Sequence, residues 1–188
     1  MPAKRLFDVV FSVMALLLLG WLFILIYLFS CIDTSSNALF LQERVGQHGK
    51  RFTIYKFKTI HPGTRKISLF GRFLRNSKLD ELPQLLNVLA GNMSMVGPRP
   101  DVEGYYDLLE GDDRKILELK PGITGPASLK YSKEEQLLAV QENPQQYNDE
   151  VIFPDKLKIN LIYQQKQSFW LDCKIIIYTI FRKHNFFE

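Results

Sequence analysis

Asp80 and Glu81 are adjacent carboxylates in a stretch that reads as the start of a helix, and arginines stand close to them in the chain. Arg72 and Arg75 precede the pair by about two helical turns, and Arg99 lies on a loop clamped by Pro98 and Pro100. A second rigid loop, residues 120–126, offers Thr124 and the backbone N–H of Gly125. Carboxylates among guanidinium groups suit a phosphorylated substrate held together with a divalent ion. Mg²⁺ takes one or two carboxylates and completes its shell from phosphate oxygens and water. A carboxylate can also attack phosphorus itself, forming an acyl phosphate. From spacing alone the simpler role for Asp80 and Glu81 is helix capping, because exposed N–H groups and the helix dipole favour anions there; the neighbouring arginines are what raise the chemical one. No other chemistry competes. His48, His61 and His184 are scattered, Cys31 and Cys173 lack the paired spacing of a zinc site, and the Gly-rich stretch at residues 45–49 lacks the Lys-Ser/Thr of a P-loop.

The elements that must carry these residues follow from pattern. Residues 38–43 and 51–57 read as two short strands with Gly46 and Gly49 between them, a hairpin with a longer loop. His61-Pro62-Gly63 breaks the chain into a loop over 61–67. Residues 69–75 then form a short amphipathic helix that puts Arg72 and Arg75, three apart, on one face. Ser77, with an acidic residue after it, reads as the cap of a further helix in which Pro83 fits an early turn. Leu82, Leu85, Leu86 and Leu89 give that helix an apolar face, and Gly91 ends it. Residues 101–119 are expected to be helical with an interruption near Gly111, and residues 133–142 and 155–167 to be helices. The tail from Phe169 to Phe187 mixes aromatic and aliphatic bulk with Lys174, Arg182 and Lys183, which suits either a membrane surface or a core helix.

Before all of these stand 24 consecutive uncharged residues, Val9 to Ile32. As a helix they extend roughly 36 Å, longer than the hydrocarbon core of a bilayer at about 30 Å. Burying such a helix in a 188-residue soluble protein would consume much of its core. A cleaved signal is the alternative, but the apolar stretch is too long for one and no small-residue cleavage site follows it. Lys4 and Arg5 in front, and Arg44, Lys50, Arg51, Lys56 and Lys58 behind, put positive charge on both flanks. Positive flanks favour the cytoplasmic side, so a re-entrant segment that returns to the side it entered fits better than a span. Gly20, near the middle, is the expected bend, since no proline lies between Pro2 and Pro62.

Composition narrows the remaining options. Apolar residues are 46% and charged residues 23%, so the chain is not of the disordered kind. Residues 1–79 hold 12 Lys/Arg against 3 Asp/Glu, a net of +9, whereas residues 80–188 hold 12 against 17, a net of −5. A basic front half expects an anionic partner, and the acidic back half argues against nucleic acid. A membrane-anchored scaffold without enzymatic activity remains the alternative reading.

In this order and spacing, several stretches resemble the small monotopic phosphoglycosyl transferases, the bacterial sugar transferase family that includes the PglC-like enzymes. They are Lys4-Arg5-Leu6-Phe7-Asp8, Gln42-Glu43-Arg44-Val45-Gly46, Phe52-Thr53-Ile54-Tyr55-Lys56-Phe57-Lys58 and Gly71-Arg72-Phe73-Leu74-Arg75. Further on come Leu79-Asp80-Glu81-Leu82-Pro83-Gln84-Leu85, residues 92–100 ending in Pro98-Arg99-Pro100, Lys120-Pro121-Gly122-Ile123-Thr124-Gly125 and Ser168-Phe169-Trp170-Leu171-Asp172. The resemblance implies an α+β, mostly helical fold: a re-entrant membrane helix over 1–33, then a catalytic domain over 34–188 with a small β-hairpin and interfacial amphipathic helices around a cytoplasmic-face active site. It implies transfer of a phospho-sugar from a UDP-sugar to undecaprenyl phosphate with release of UMP, through a covalent intermediate on Asp80. Glu81 would assist, and Asp80 and Glu81 would hold Mg²⁺. Arg99, Arg75, Arg72, Lys56, Arg44, Thr124 and Lys130 are the expected phosphate and substrate contacts. The implied location is the bacterial inner membrane, with membrane lipid as a further partner. The sugar is left open, as is the oligomeric state, with a homodimer as one option.

Overall fold

The computed structural model describes residues 2–181. The chain divides into two compact units, residues 1–44 with 51–93, and residues 45–50 with 94–188.

The first unit begins with α1, Pro2–Thr34, a continuous helix of 33 residues. Helical structure runs through Gly20 without a break, and nothing within 4 Å would meet a side chain there. One stripe of α1 is buried: Asp8, Ser12, Ile26, Ser30 and Thr34 recur at helical spacing. Leu22, Phe23 and Tyr27 are partly buried beside that stripe, whereas much of the remaining apolar surface is open, with Leu17 81%, Trp21 63% and Ile32 76% exposed. α1 is the one helix among the described residues long and apolar enough to cross a membrane. An apolar surface of this size has no place in water, so the chain is membrane-associated.

The strands β1, Leu39–Val45, and β2, Arg51–Phe57, pair as a two-stranded sheet. β1 runs two residues further than its pattern suggested. Next comes α2, Leu69–Ser77, and then α3, Gln84–Ala90. Ser68 caps α2, its hydroxyl accepting from Gly71 N–H at 2.9 Å and donating to Asp33 at 2.7 Å. Gly71 admits no side chain: a Cβ there would lie 2.5 Å from the Thr59 carbonyl oxygen, so α2 rests directly on the chain leaving β2. The core of this unit joins Ile26, Ala38, Phe57 and Leu74, with Phe23 edge-on to Phe57 at 4.9 Å between ring centres. Asn87 of α3 lies along β2, its amide donating to Thr53 O at 2.7 Å while its carbonyl oxygen accepts from Tyr55 N–H at 3.1 Å. An asparagine thereby satisfies backbone groups that an unpaired strand edge leaves open. At the other end of α3, Arg5 donates to the Val88 and Leu89 carbonyls, a cation placed where the helix dipole is negative.

The second unit is built around β3, Ser94–Val96, and β4, Gly122–Thr124, which run parallel with Ser94 opposite Gly122 and Val96 opposite Thr124. Gly97 sits so close to the facing chain that a Cβ would meet Lys120 O at 2.2 Å. Short helices follow: α4, Pro126–Lys130, α5, Glu134–Ala139, and α6, Pro144–Tyr147; then the longer α7, Phe153–Lys166, and α8, Phe169–Ile180. Val45, Tyr106, Ile116, Leu117 and Leu157 form its core. Tyr163 donates to the buried Asp172 at 2.5 Å, fastening α7 to α8.

Three expectations about elements need correction. Residues 101–119 contain only 3₁₀ turns, Tyr106–Leu108 and Gly111–Glu118, because Gly104 and Gly111 adopt positive φ and interrupt any longer helix. The helix expected over 133–142 is confined to α5. Ser77 caps nothing: it is the last residue of α2, and its hydroxyl donates back to Phe73 O and Leu74 O. The tail helix is present as α8, while Arg182, Lys183 and the remainder to Phe187 lie outside the described residues.

Candidate active site

The chain reverses sharply between α2 and α3, and that reversal carries the acidic pair. Lys78 takes the left-handed conformation, φ 62°, and its N–H closes α2 on the Leu74 and Arg75 carbonyls. Left-handed backbone is uncommon for a residue with a Cβ, and here it sits two positions from Asp80. Leu79–Glu81 then form a single 3₁₀ turn leading through Pro83 into α3. Asp80 and Glu81 thus sit in a tight turn between two helices.

The two carboxylates have different surroundings. Glu81 is 6% exposed and faces the Lys56 ammonium, 3.3 Å from its Oε1. Asp80 is half-buried, and its Oδ1 is shielded from solvent with no hydrogen-bond partner. Burial, first, and the neighbouring Glu81 charge, second, push the Asp80 carboxyl up to about 6, against the opposing pull of Lys56, Lys78 and Arg75. A buried polar atom left unpaired is costly, and a carboxyl shifted this far is a candidate functional group. Two adjacent hard oxygen donors, one of them unpaired, fit a divalent cation that takes few protein ligands. Among the described residues no group of three or more His, Cys, Asp or Glu gathers into a full protein cage.

Arg75 enters the same neighbourhood from α2. Its Nε donates to the buried Thr59 hydroxyl at 3.2 Å, which fixes the plane of the guanidinium and leaves its terminal nitrogens for another partner. Paired terminal N–H groups match the oxygens of a phosphate. Arg72, three residues earlier, is exposed on α2 beside Phe73. Arg44, at the end of β1, donates to Gln42 at 2.6 Å.

The other expected contacts belong to the second unit. Arg99 is exposed between two buried prolines. The buried Thr124 hydroxyl is hydrogen-bonded to that of Thr179 at 2.7 Å. Lys130 is ion-paired with Asp155 at 2.7 Å and lies over the Tyr131 ring.

Three supporting residues escaped the sequence reading. Thr59 orients Arg75, Asn87 sets α3 against β2, and Ser68 starts the helix that brings Arg75 into place. Only Ser68 had a signal, a serine ahead of an amphipathic run. Thr59 and Asn87 act across long sequence separations that no local pattern records.

A membrane-associating helix, a carboxylate with an unpaired buried oxygen, and an arginine held with its terminal nitrogens open define a membrane-bound protein equipped for phosphate esters. The profile of the bacterial sugar transferases matches residues 1–185, and the chain belongs to that family. It is 32% identical to the uncharacterized sugar transferase EpsL of Bacillus subtilis, over 96% of this chain and 86% of that protein. It is 34% and 33% identical to the UDP-glucose:undecaprenyl-phosphate glucose-1-phosphate transferases of Klebsiella pneumoniae and Escherichia coli, over 97% and 95% of this chain. The chain spans only 40% and 39% of the length of those two proteins.

Proposed function

We propose that the chain transfers a sugar-1-phosphate from a UDP-sugar to undecaprenyl phosphate, releasing UMP. The observation that carries this reading is Asp80, a half-buried carboxylate with an unpaired oxygen and an affinity for protons raised to about 6. Such a group is ionised at neutral pH yet more nucleophilic than an ordinary aspartate. Its oxygen attacks the phosphorus that bears the sugar. The bond from that phosphorus to the bridging oxygen breaks, and UMP departs with the bridging oxygen. The acyl phosphate so formed is then attacked by a phosphate oxygen of the lipid acceptor. The new phosphorus–oxygen bond displaces Asp80, which returns as a carboxylate, and the product is a lipid diphosphate bearing the sugar.

Arg75, with Nε occupied by Thr59, steadies the phosphoryl oxygens through its terminal nitrogens. Lys56 keeps Glu81 in place beside Asp80. Asp80 and Glu81 would together hold Mg²⁺, which supplies neutralising charge between carboxylate and diphosphate.

Both ends of α1 are tied to the unit that carries Asp80: Arg5 to the carbonyls of α3, Asp33 to the cap of α2. A helix crossing the bilayer would carry one of those ends to the far side. The ties support a segment whose two ends stay on the same side of the bilayer as the acidic pair, the cytoplasmic side, with that pair at headgroup depth. The test is a panel of UDP-sugars with undecaprenyl phosphate, scored for UMP. Transfer by the wild type that is lost in Asp80→Asn, with membrane association retained, supports the reading. Full activity in Asp80→Asn removes that residue from the mechanism.

A further inference from the structure

Asp33 is the first charge after the apolar run of α1, and a charge is excluded from hydrocarbon, so the helix leaves the apolar layer there. Its carboxylate accepts from Ser68, the cap of α2, so α2 begins at the depth where α1 emerges. One turn back on α1, Phe29 lies 6.0 Å from Phe70 of α2 between ring centres, and Phe29 is itself 56% exposed. At about 3.6 residues per turn, Phe29 and Asp33 form the flank of α1 that meets α2, and the exposed Ile32 stands next to Phe29 on the open side. The same geometry divides α2. Gly71 and Leu74 are buried, whereas Leu69, Arg72 and Phe73 point the other way, with Leu69 83% and Phe73 57% exposed. Phe70 lies on the edge between the two faces, one turn before Phe73. The open apolar surface of α1 therefore continues from Phe29 through Phe70 onto Leu69 and Phe73, at the level where hydrocarbon gives way to headgroups.

Cations border this continuation. No Asp or Glu occurs from residue 44 to residue 79, and Asp33 is taken up by Ser68. Arg72 stands on the open face of α2, and Arg65 and Lys66 stand exposed on the loop before it. That loop is held in shape. Ile60 pairs with Ile67 across its base, the His61 Nδ1 accepts from the Gly63 and Thr64 N–H groups at 3.1 and 3.2 Å, and Arg65 takes φ 56°. Among the described residues none of these three side chains has a hydrogen-bond or ion-pair partner. Cations beside exposed aromatic and aliphatic bulk match a layer that is apolar beneath and anionic at its surface. A nucleic acid would leave Leu69 and Phe73 in water, and zwitterionic lipid alone would leave the three cations without counter-charge. We propose that α2 lies on the bilayer surface with Leu69 and Phe73 among the lipids, and that Arg65, Lys66 and Arg72 bind the phosphates of anionic phospholipids there. This contact adds a lipid preference to the anchoring by α1, and it holds the turn that follows α2, which carries Asp80, against the membrane. It draws only on the membrane-facing surface of α1, whatever reaction the chain performs.

The test places a lipid-sensitive probe on α2. The full chain with Cys31→Ser and Cys173→Ser, and with Phe73→Cys carrying an NBD fluorophore, is reconstituted in phosphatidylcholine nanodiscs. Doxyl-labelled phosphatidylglycerol or doxyl-labelled phosphatidylcholine is added as a minor lipid and the loss of emission is recorded. A second protein carries the fluorophore through Leu69→Cys. Each Lys or Arg near a bilayer surface is worth about fivefold in attraction to anionic lipid. Both probes are expected to be quenched by either lipid, and by the phosphatidylglycerol at a mole fraction at least about tenfold lower. Arg65→Gln combined with Lys66→Gln is expected to cut the preference to about fivefold or less while the quenching persists, and Arg65→Lys to keep it. Absence of quenching by either lipid at both positions overturns the proposal, and self-quenching between copies in its place identifies a second copy of the chain on this face. Equal quenching by the two lipids in the parent protein, or an undiminished preference in the double variant, overturns it as well.

Discussion

Folding makes Asp80 harder to ionise, so removing its charge should stabilise the protein while abolishing its chemistry. The carboxyl rises from an unfolded value of 3.8 to about 6, by burial first and then by Glu81. A group shifted in this direction contributes stability that is fully present below the unfolded value and is lost as pH rises through the folded one. Two units at about 1.36 kcal/mol each set an upper bound of about 3 kcal/mol on the cost of an ionised Asp80 at neutral pH. Solvent reaching a half-buried group reduces this, and about 2 kcal/mol is expected. Asp80→Asn keeps the shape and removes the charge. Near pH 7.5 it should unfold about 2 kcal/mol later than the wild type in urea, or melt roughly 4 to 8 °C higher, and near pH 4 the two should coincide. The assay is paired unfolding of both proteins in one detergent at the two pH values. An Asp80→Asn protein no more stable than the wild type near pH 7.5, or equally favoured near pH 4, would refute the claim that the carboxyl is strained by its surroundings.

The same shift predicts a pH profile: the first step should run at full rate above about pH 6 and fall about tenfold per unit below it as Asp80 takes up a proton, measured as UMP release in single turnover. Lys56→Ala removes the ammonium facing the buried Glu81 and should cost about 3 kcal/mol in urea unfolding, the low end for a broken buried pair; pairing it with Glu81→Gln should recover much of that, and a single-variant loss below about 0.5 kcal/mol would place the pair among ordinary surface ones. Asn87→Ala strands Thr53 O and Tyr55 N–H and should cost about 2 kcal/mol, with hydrogen exchange at Tyr55 accelerating as its direct sign.

Much of this arrangement is visible in local pattern because local physics produces it. The apolar run of α1, the glycine-spaced hairpin and the helix bearing Arg75 are each set by periodicity and breakers within a dozen residues. The acidic pair stood out for its company of arginines, and the family motifs placed it in order. What stayed hidden lies in contacts between distant segments. Ser77 had the spacing of a cap, yet Lys78 enters the left-handed region and hands the start of α3 to a 3₁₀ turn. The acidic stretch over 101–119 had helical composition, but Gly104 and Gly111 at positive φ break it into turns. Gly97 reads as a loop glycine, whereas the approach of Lys120 O is what forbids any other residue there. Nothing near Asn87 or Thr59 in the chain hints at the strand edge or the guanidinium that each one serves.

Transfer through this site requires Asp80 as the nucleophile. Incubating the protein with its UDP-sugar in the absence of lipid acceptor, quenching in acid and mapping the adduct by peptide mass spectrometry tests this directly. The expected result is one sugar-phosphate on the peptide containing Asp80, assigned to that residue and discharged on adding undecaprenyl phosphate. An adduct on any other side chain, or product formed at full rate by Asp80→Asn, would contradict it.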